Sequence, residues 1–213
     1  GRLGQLLQWE TGTFLLVCIS LMAILLTCRM LRGDEDEGLT EVLRSTGTGR
    51  AVPLVVPLTV VWMIIGGLSA GVGGILTWQT RSIEELTVSG AWALAGTICV
   101  TGWAFSAVAA VASQLGRQVG QARSLSMIVL AIAFVMRVSA DQLSDGSRSD
   151  WLRWMTPLGW RYLVRPYTDD RFTVLAVCCT VAIALALSAV VIAARREYLD
   201  SYLPDRGSSQ RRW

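Results

Sequence analysis

The sequence predicts an all-α polytopic membrane protein, and three observations carry that prediction. Of its 213 residues, 53% are hydrophobic and only 16% are charged, against about 25% charged in an average soluble domain. Five mostly apolar runs approach or exceed the length needed to cross roughly 30 Å of hydrocarbon at about 1.5 Å rise per residue. The basic residues cluster unevenly in the short segments between those runs.

The expected spans are 13–31, 54–77, about 89–115, 122–139 and 172–194, and only the fourth is marginal in length. Orientation follows from the arginines. Arg29, Arg32, Arg44 and Arg50 flank the first connection, Arg117 and Arg123 the third, and Arg195, Arg196, Arg206, Arg211 and Arg212 the C-terminal end. These segments are expected on the cytoplasmic side. The 78–88 connection has only Arg81 beside Glu84 and Glu85. The 140–171 segment is too long and too evenly charged to vote. Trp9, Trp78, Trp92, Trp151, Trp154 and Trp160 all fall near the proposed outer surface, as aromatic belts do. The stretch begins at Gly1 without an initiator Met, and an odd span count would leave its start outside. A fragment that lacks one preceding helix is therefore expected.

Composition excludes several chemistries. All 19 basic residues are Arg, with neither Lys nor His. That removes a Walker A lysine, a Ser-His-Asp triad and an HExxH zinc site. Cys18, Cys28, Cys99, Cys178 and Cys179 lie in apolar runs without CxxC spacing and are expected to be inert thiols. No ionisable residue sits in the middle of a span, which argues against an ion-coupled antiporter. Arg137, near the outer end of the fourth span, is expected to snorkel. Gly66, Gly67, Ala70, Gly71 and Gly74 give the second span the small-residue spacing of close helix packing.

Two connections carry more information than a plain loop. In 149–167, SDWLRWMTPLGWRYLVRPY, Trp151, Trp154 and Met155 fall on one helical face, and Pro157-Leu158-Gly159 interrupts the helix. This re-entrant or interfacial segment reads equally well as a membrane-resting connector or as an outer cap over a translocation path. In 32–50, RGDEDEGLTEVLRSTGTGR, Asp34 is placed to cap a short helix with Glu37 at its third position. Leu39, Val42 and Leu43 would form its apolar ridge, and Gly47 would stop it. The helix expected over about 35–45 has an acidic rim. An anionic inner leaflet repels such a rim, so a protein partner with a basic groove suits it better than lipid.

The second of these stretches resembles the signature R-x-E-E-E-x-G-x-x-E-L-L-R-x-x-x-x-G-R of ABC-2 type exporter permeases, in particular the actinobacterial subgroup of polyketide-antibiotic and multidrug exporters. AVAAVASQLGRQVGQARSLSMIVLAIAFVMRVSAD, WLRWMTPLGWRYLVRPYTDDR and AARREYLDSYLPDR follow in the same order, so the resemblance covers nearly the whole chain. Asp34 and Asp36 stand where the family usually has Glu, and they keep the charge. The resemblance implies the N-terminal half of a two-half permease with an ABC-2 (type V exporter-like) fold, with residues 1–213 forming one transmembrane domain. It makes 35–45 the cytoplasmic coupling helix, with Glu35, Glu37, Leu39, Glu41, Leu43 and Arg44 contacting a separate ABC ATP-binding subunit in two copies. ATP and Mg would bind in that subunit, and this chain would hold no cofactor and no metal. A second six-helix half, membrane lipid and a hydrophobic small-molecule cargo are the other implied partners, with no nucleic acid. The first and fourth spans would line the cargo cavity, where Phe14, Leu21, Met127 and Phe134 are the expected contacts, though the same residues could face lipid.

The resulting expectation is a multi-pass permease of a bacterial inner membrane, part of an ATP-driven exporter of antibiotics, drugs or lipids and not itself an enzyme. A membrane-embedded protease or lipid transferase would need buried Asp, Glu, His or Lys, and the spans offer none. A structural or scaffolding membrane subunit is the alternative, and it leaves the acidic hinge without a task.

Overall fold

The computed structural model describes residues 2–36, 52–83, 86–116, 119–142 and 147–196, and every regular element among them is helical. In chain order these are α1 (Arg2–Asp36), α2 (Val52–Gln79), α3 (Val88–Leu115), α4 (Val119–Gln142), α5 (Ser147–Met155), a 3-10 turn (Pro157–Gly159), α6 (Trp160–Val164) and α7 (Phe172–Arg196). Five of them, α1 over Gly12–Leu31 and the whole or most of α2, α3, α4 and α7, are long and apolar enough to cross a membrane. In lipid a helix satisfies its own backbone, which explains why apolar runs of this length fold this way. α4 gains a turn at each end over the expected 122–139 and reaches 24 residues, about 36 Å at 1.5 Å per residue, so it is not marginal.

The bundle is organised around α3. Buried residues make up 72% of its apolar stretch, against 22% to 39% for the other four long helices. α3 packs on α1, α2, α4 and α7. Its sequence explains the position, because Ala91, Ala93, Ala95, Ala104, Ala107, Ala109, Ala110 and Ala112 are all buried. Hydrophobicity does not drive helices together inside lipid. Small side chains that permit close backbone approach do. A Cβ on Gly102 would lie 2.8 Å from Ile65 and 3.1 Å from Ile19, so α1 and α2 both cross α3 there. A Cβ on Gly96 would lie 2.5 Å from Leu175 of α7.

Polar groups inside the bundle are mostly accounted for. The rings of Trp62 (α2) and Trp103 (α3) stack at 4.7 Å with 9° between planes. Trp62 Nε1 donates to Ser106 Oγ at 2.6 Å, and Trp103 Nε1 donates to the Trp62 carbonyl at 3.1 Å. Ser20, Thr97, Ser113 and Ser126 donate to carbonyls four residues back on their own helices. All five cysteines are free thiols.

The 147–164 segment does not rest on the bundle's surface. Thr101 Oγ1 donates to the Pro157 carbonyl at 3.2 Å, and Thr101 stands half-way along α3. Leu158 is buried in the main core, and Trp160 packs with Val100, Ala104, Cys178 and Ala182. The chain descends through α5, turns at Pro157–Gly159 deep between α3 and its neighbours, and climbs back through α6. Trp160 is therefore core, 3% exposed, and not part of an aromatic belt. Trp151, Trp154 and Met155 remain exposed. Thr156 caps the turn by accepting the Gly159 N–H at 3.2 Å. We call the end that receives this segment the cap end. It also holds the start of α3 and the last turn of α4.

Two further features bear on the expectations. Gly66, Gly67, Gly71 and Gly74 have nothing within 4 Å of an added Cβ, so among the described residues this small-residue face is open. The α2 face that packs runs through Leu54, Leu58, Val61, Ile65, Ser69 and Gly73, and a Cβ on Gly73 would lie 3.1 Å from Ala95. α1 continues through Asp34 to Asp36, so Asp34 sits inside a helix rather than capping a new one. Gly33 alone does not stop it, since a glycine inside a helix costs only about 1 kcal/mol relative to alanine. The expected helix beyond that point falls in 37–51, outside the described residues.

Gly159 and Gly66 make a paired test of this packing. A methyl on Gly159 would lie 2.5 Å from the Arg153 carbonyl oxygen and 2.8 Å from its Cα, both backbone atoms. Gly159→Ala should destabilise the protein by about 1–3 kcal/mol, the usual cost of overpacking. Gly66→Ala should not, and thermal unfolding of the two purified variants reads the difference.

Candidate functional site

Polar chemistry in the described residues concentrates at the cap end, around Tyr162. Arg137 stands five residues before the end of α4 and is 8% exposed. Its Nη2 donates to Thr13 Oγ1 of α1 at 3.1 Å and to Tyr162 Oη of α6 at 3.0 Å. The same nitrogen is 3.4 Å from Asp141 Oδ2 one turn along α4. Tyr162 Oη also donates to Asp141 at 3.4 Å. One guanidinium therefore ties α1, α4 and the re-entrant segment together. Arg137 does not snorkel. Three partners on separate elements lie within reach, and each satisfies the charge better than a strained path to water.

Two more arginines complete the cluster. Arg161 is 1% exposed and lies against α1, where a Cβ on Gly12 would meet its Nη1 at 2.6 Å. Arg153 pairs with Asp150 at 3.2 Å on α5. The Cζ atoms of Arg161, Arg153 and Arg137 lie 4.9, 5.2 and 5.5 Å from the centroid of the Tyr162 ring, inside cation–π range. Sequence reasoning missed Arg153, Arg161 and Tyr162. The i, i+4 spacing of Arg137 and Asp141 was a usable signal for part of the cluster. Nothing local marks Arg161 as buried, because its depth comes from the descent of the turn.

The turn that returns the chain to α7 is built on three left-handed residues, Arg165 (φ 50), Tyr167 (φ 63) and Asp170 (φ 45). Asp170 accepts the Tyr167 N–H at 2.7 Å, a short local bond that holds this costly backbone. The Tyr167 ring fills the space over Gly90, where a Cβ would clash at 2.3 Å. Burial raises the Tyr167 phenol above its ordinary pKa and Asp170's charge adds to the shift, so it stays neutral at physiological pH.

The expected cavity residues separate into two levels. Phe14 and Leu21 are seven residues apart on α1, and Met127 and Phe134 seven apart on α4, so each pair shares a helix face. Phe14 is 70% and Phe134 42% exposed. Leu21 and Met127 are half-buried and pack against the main core. The Thr13–Arg137 bond joins the two helices beside Phe14 and one turn from Phe134. The apolar faces are thus open near the cap end and closed deeper in the bundle. Glu35 lies in the last turn of α1. Glu37, Leu39, Glu41, Leu43 and Arg44 lie outside the described residues. No group of metal-ligating side chains occurs among the described residues.

Tyr162 and Tyr167 give opposite expectations for the loss of a hydroxyl. Tyr162→Phe removes the bonds to Arg137 and Asp141, and charge-assisted hydrogen bonds of this kind contribute about 1.5–3 kcal/mol. Tyr167 Oη is buried with no hydrogen-bond partner, so Tyr167→Phe should be neutral or slightly stabilising. Melting temperatures of the two purified variants check this.

No family model matches the chain. It is 32% identical, over 195 residues, to the multidrug efflux system permease protein Rv1217c of Mycobacterium tuberculosis. The match takes in 92% of this chain and 34% of that protein, so the chain spans about a third of its relative's length. Five apolar helices and this similarity together make it a multi-pass protein of the bacterial inner membrane. Over the third of that permease it spans, the chain is similar to an ABC-2 type permease.

Proposed function

We propose that the chain forms part of the transmembrane pathway of an ATP-driven exporter of bulky apolar compounds. The single observation that carries this reading is the similarity to a multidrug efflux permease along 92% of the chain. The paired apolar faces of α1 and α4 support it. Phe14 and Phe134 offer exposed aromatic surface at one end, and no charged side chain interrupts the stripe down to Leu21 and Met127. An apolar wall without buried carboxylates suits cargo moved by mechanical work better than cargo coupled to protons.

Work must then arrive from outside the described residues. A separate ATP-binding subunit, in two copies and carrying ATP and Mg, supplies it through the acidic segment 35–45, which begins in the last turn of α1. The cap end faces outward in this reading. Arg29 and Arg123 are exposed toward the opposite end, which the positive-inside rule assigns to the cytoplasm. A second permease half closes the cargo path. The open glycine face of α2, through Gly66, Gly67, Gly71 and Gly74, is suited to a close helix neighbour.

The test is efflux and co-purification with the charge removed from the hinge. Glu37→Ala/Glu41→Ala keeps helix-forming residues in place and removes two charged contacts. If those contacts are buried on the ATPase, each contributes about 1.5–3 kcal/mol, and retention of the ATPase should fall roughly a hundredfold while membrane insertion is unchanged. A double variant that holds its ATPase and pumps normally would overturn the assignment of this segment as the coupling element.

A further inference from the structure

Arg137 and Arg153, two of the arginines around Tyr162, are not fully used by the contacts they make. Arg137 spends Nη2 on Thr13, Tyr162 and Asp141, and Arg153 spends Nη1 on Asp150. Nε of Arg137 and Nε of Arg153 are both buried with no hydrogen-bond partner. A guanidinium carries five N–H donors in a planar fork, and its Nε–Nη edge is the one that grips an oxyanion through two parallel bonds. A buried charged donor without an acceptor is costly, and cationic groups crowded around one ring repel one another at low dielectric. An anion between them would relieve both penalties.

We propose that the Arg137–Arg153–Tyr162 cluster is an oxyanion site for a phosphate or carboxylate group. Tyr162 positions the site. Its ring lies within 5.5 Å of both guanidinium carbons, and its hydroxyl fixes Arg137 through Nη2, leaving for the ligand Nε of Arg137 and the Nε–Nη2 edge of Arg153, whose bond to Asp150 uses Nη1. Access is from the Asp150 side. The Asp150 side chain is 63% exposed, whereas those of Arg153 and Arg137 are 15% and 9% exposed. A pair with one partner this exposed is weakly held, so an incoming anion competes with Asp150 for Arg153 on favourable terms. Trp151, Trp154 and Met155 lie exposed on the same short helix, apolar surface that suits the attached chain of an amphipathic ligand. The anionic group has two possible sources, the headgroup of a phospholipid or a free anion in solution.

Binding is read without transport, so this inference can fail while the export reading stands, and the reverse. The experiment uses the full permease with its ATP-binding partner in phosphatidylcholine nanodiscs. One arm titrates inorganic phosphate. The other exchanges in phosphatidylglycerol and counts retained lipid by native mass spectrometry. Saturable phosphate binding, or retention of phosphatidylglycerol over phosphatidylcholine, is expected and identifies the source. Arg153→Gln should weaken that binding by roughly tenfold or more, as loss of a charge-assisted fork does. Arg153→Lys should recover it only in part, because it restores the charge without the fork. Arg171→Gln, whose partner is the exposed Asp169, should leave it unchanged. Arg153 is chosen over Arg137 because it bonds only within its own helix, so the variant keeps the tie between α1 and α4. Absence of both phosphate and phosphatidylglycerol binding in the unaltered protein overturns the proposal. So does binding that survives Arg153→Gln undiminished.

Discussion

Everything in this bundle depends on how closely other helices can approach the backbone of α3. Lipid offers no hydrophobic reward for pressing one apolar helix against another, so what remains is dispersion between well-fitted surfaces and a few internal hydrogen bonds. α3 meets that constraint with alanine, glycine, serine and threonine on several faces at once. Gly102 admits Ile19 and Ile65, Gly96 admits Leu175, and Gly90 admits Tyr167. The approach also brings Trp62 within reach of Ser106 and Trp103 within reach of the Trp62 carbonyl. Larger residues along α3 would move four neighbours outward together, and the re-entrant turn would lose its seat on Thr101.

Hydropathy made the five spans legible, because length and apolarity are properties of a segment by itself. Their partners were not legible in the same way. The glycine spacing of α2 drew attention as a packing surface, but spacing says only that a face is smooth. Among the described residues the face that packs is Leu58, Val61, Ile65 and Gly73, and the smoother one is open. The better signal was the density of small residues in 89–115. A helix with so few large side chains has little reason to face lipid.

The cap shows a different limit. Pro157-Leu158-Gly159 was readable as a break between two short helices, and Trp151, Trp154 and Met155 as an outward apolar face. Depth was not readable, since a tryptophan-rich segment suits an interface and a core equally well. Trp160 is buried by Val100 and Ala104, more than fifty positions away on α3, and by Cys178 and Ala182 of α7. Arg161 is carried inward by the same descent, and so the charges of the cap escaped a reading confined to spans. Of the expected cavity residues, helix faces were legible and burial was not. Phe14 and Leu21 share a face, yet one is open and the other lies against the core.

These two kinds of contact divide the protein mechanically. The α3 contacts with α2 and α7 are shape-matched and largely apolar, with two tryptophan hydrogen bonds added on the α2 side, and separating such surfaces leaves voids that neither lipid tails nor water fill well. α1 is also wedged onto α3 through Ile19 at Gly102, but at the cap end its tie to α4 is polar, the Thr13–Arg137 bond, with Arg161 pressed against Gly12. A polar bond can be exchanged for another acceptor with little change in packing, provided the acceptor is near. Tyr162 and Asp141 are both within hydrogen-bond or ion-pair distance of the same Arg137 nitrogen. Loss of Thr13 would therefore leave that charge paired with Tyr162 and Asp141. The exposed aromatic pair and the exchangeable bond occupy the same end of the same two helices.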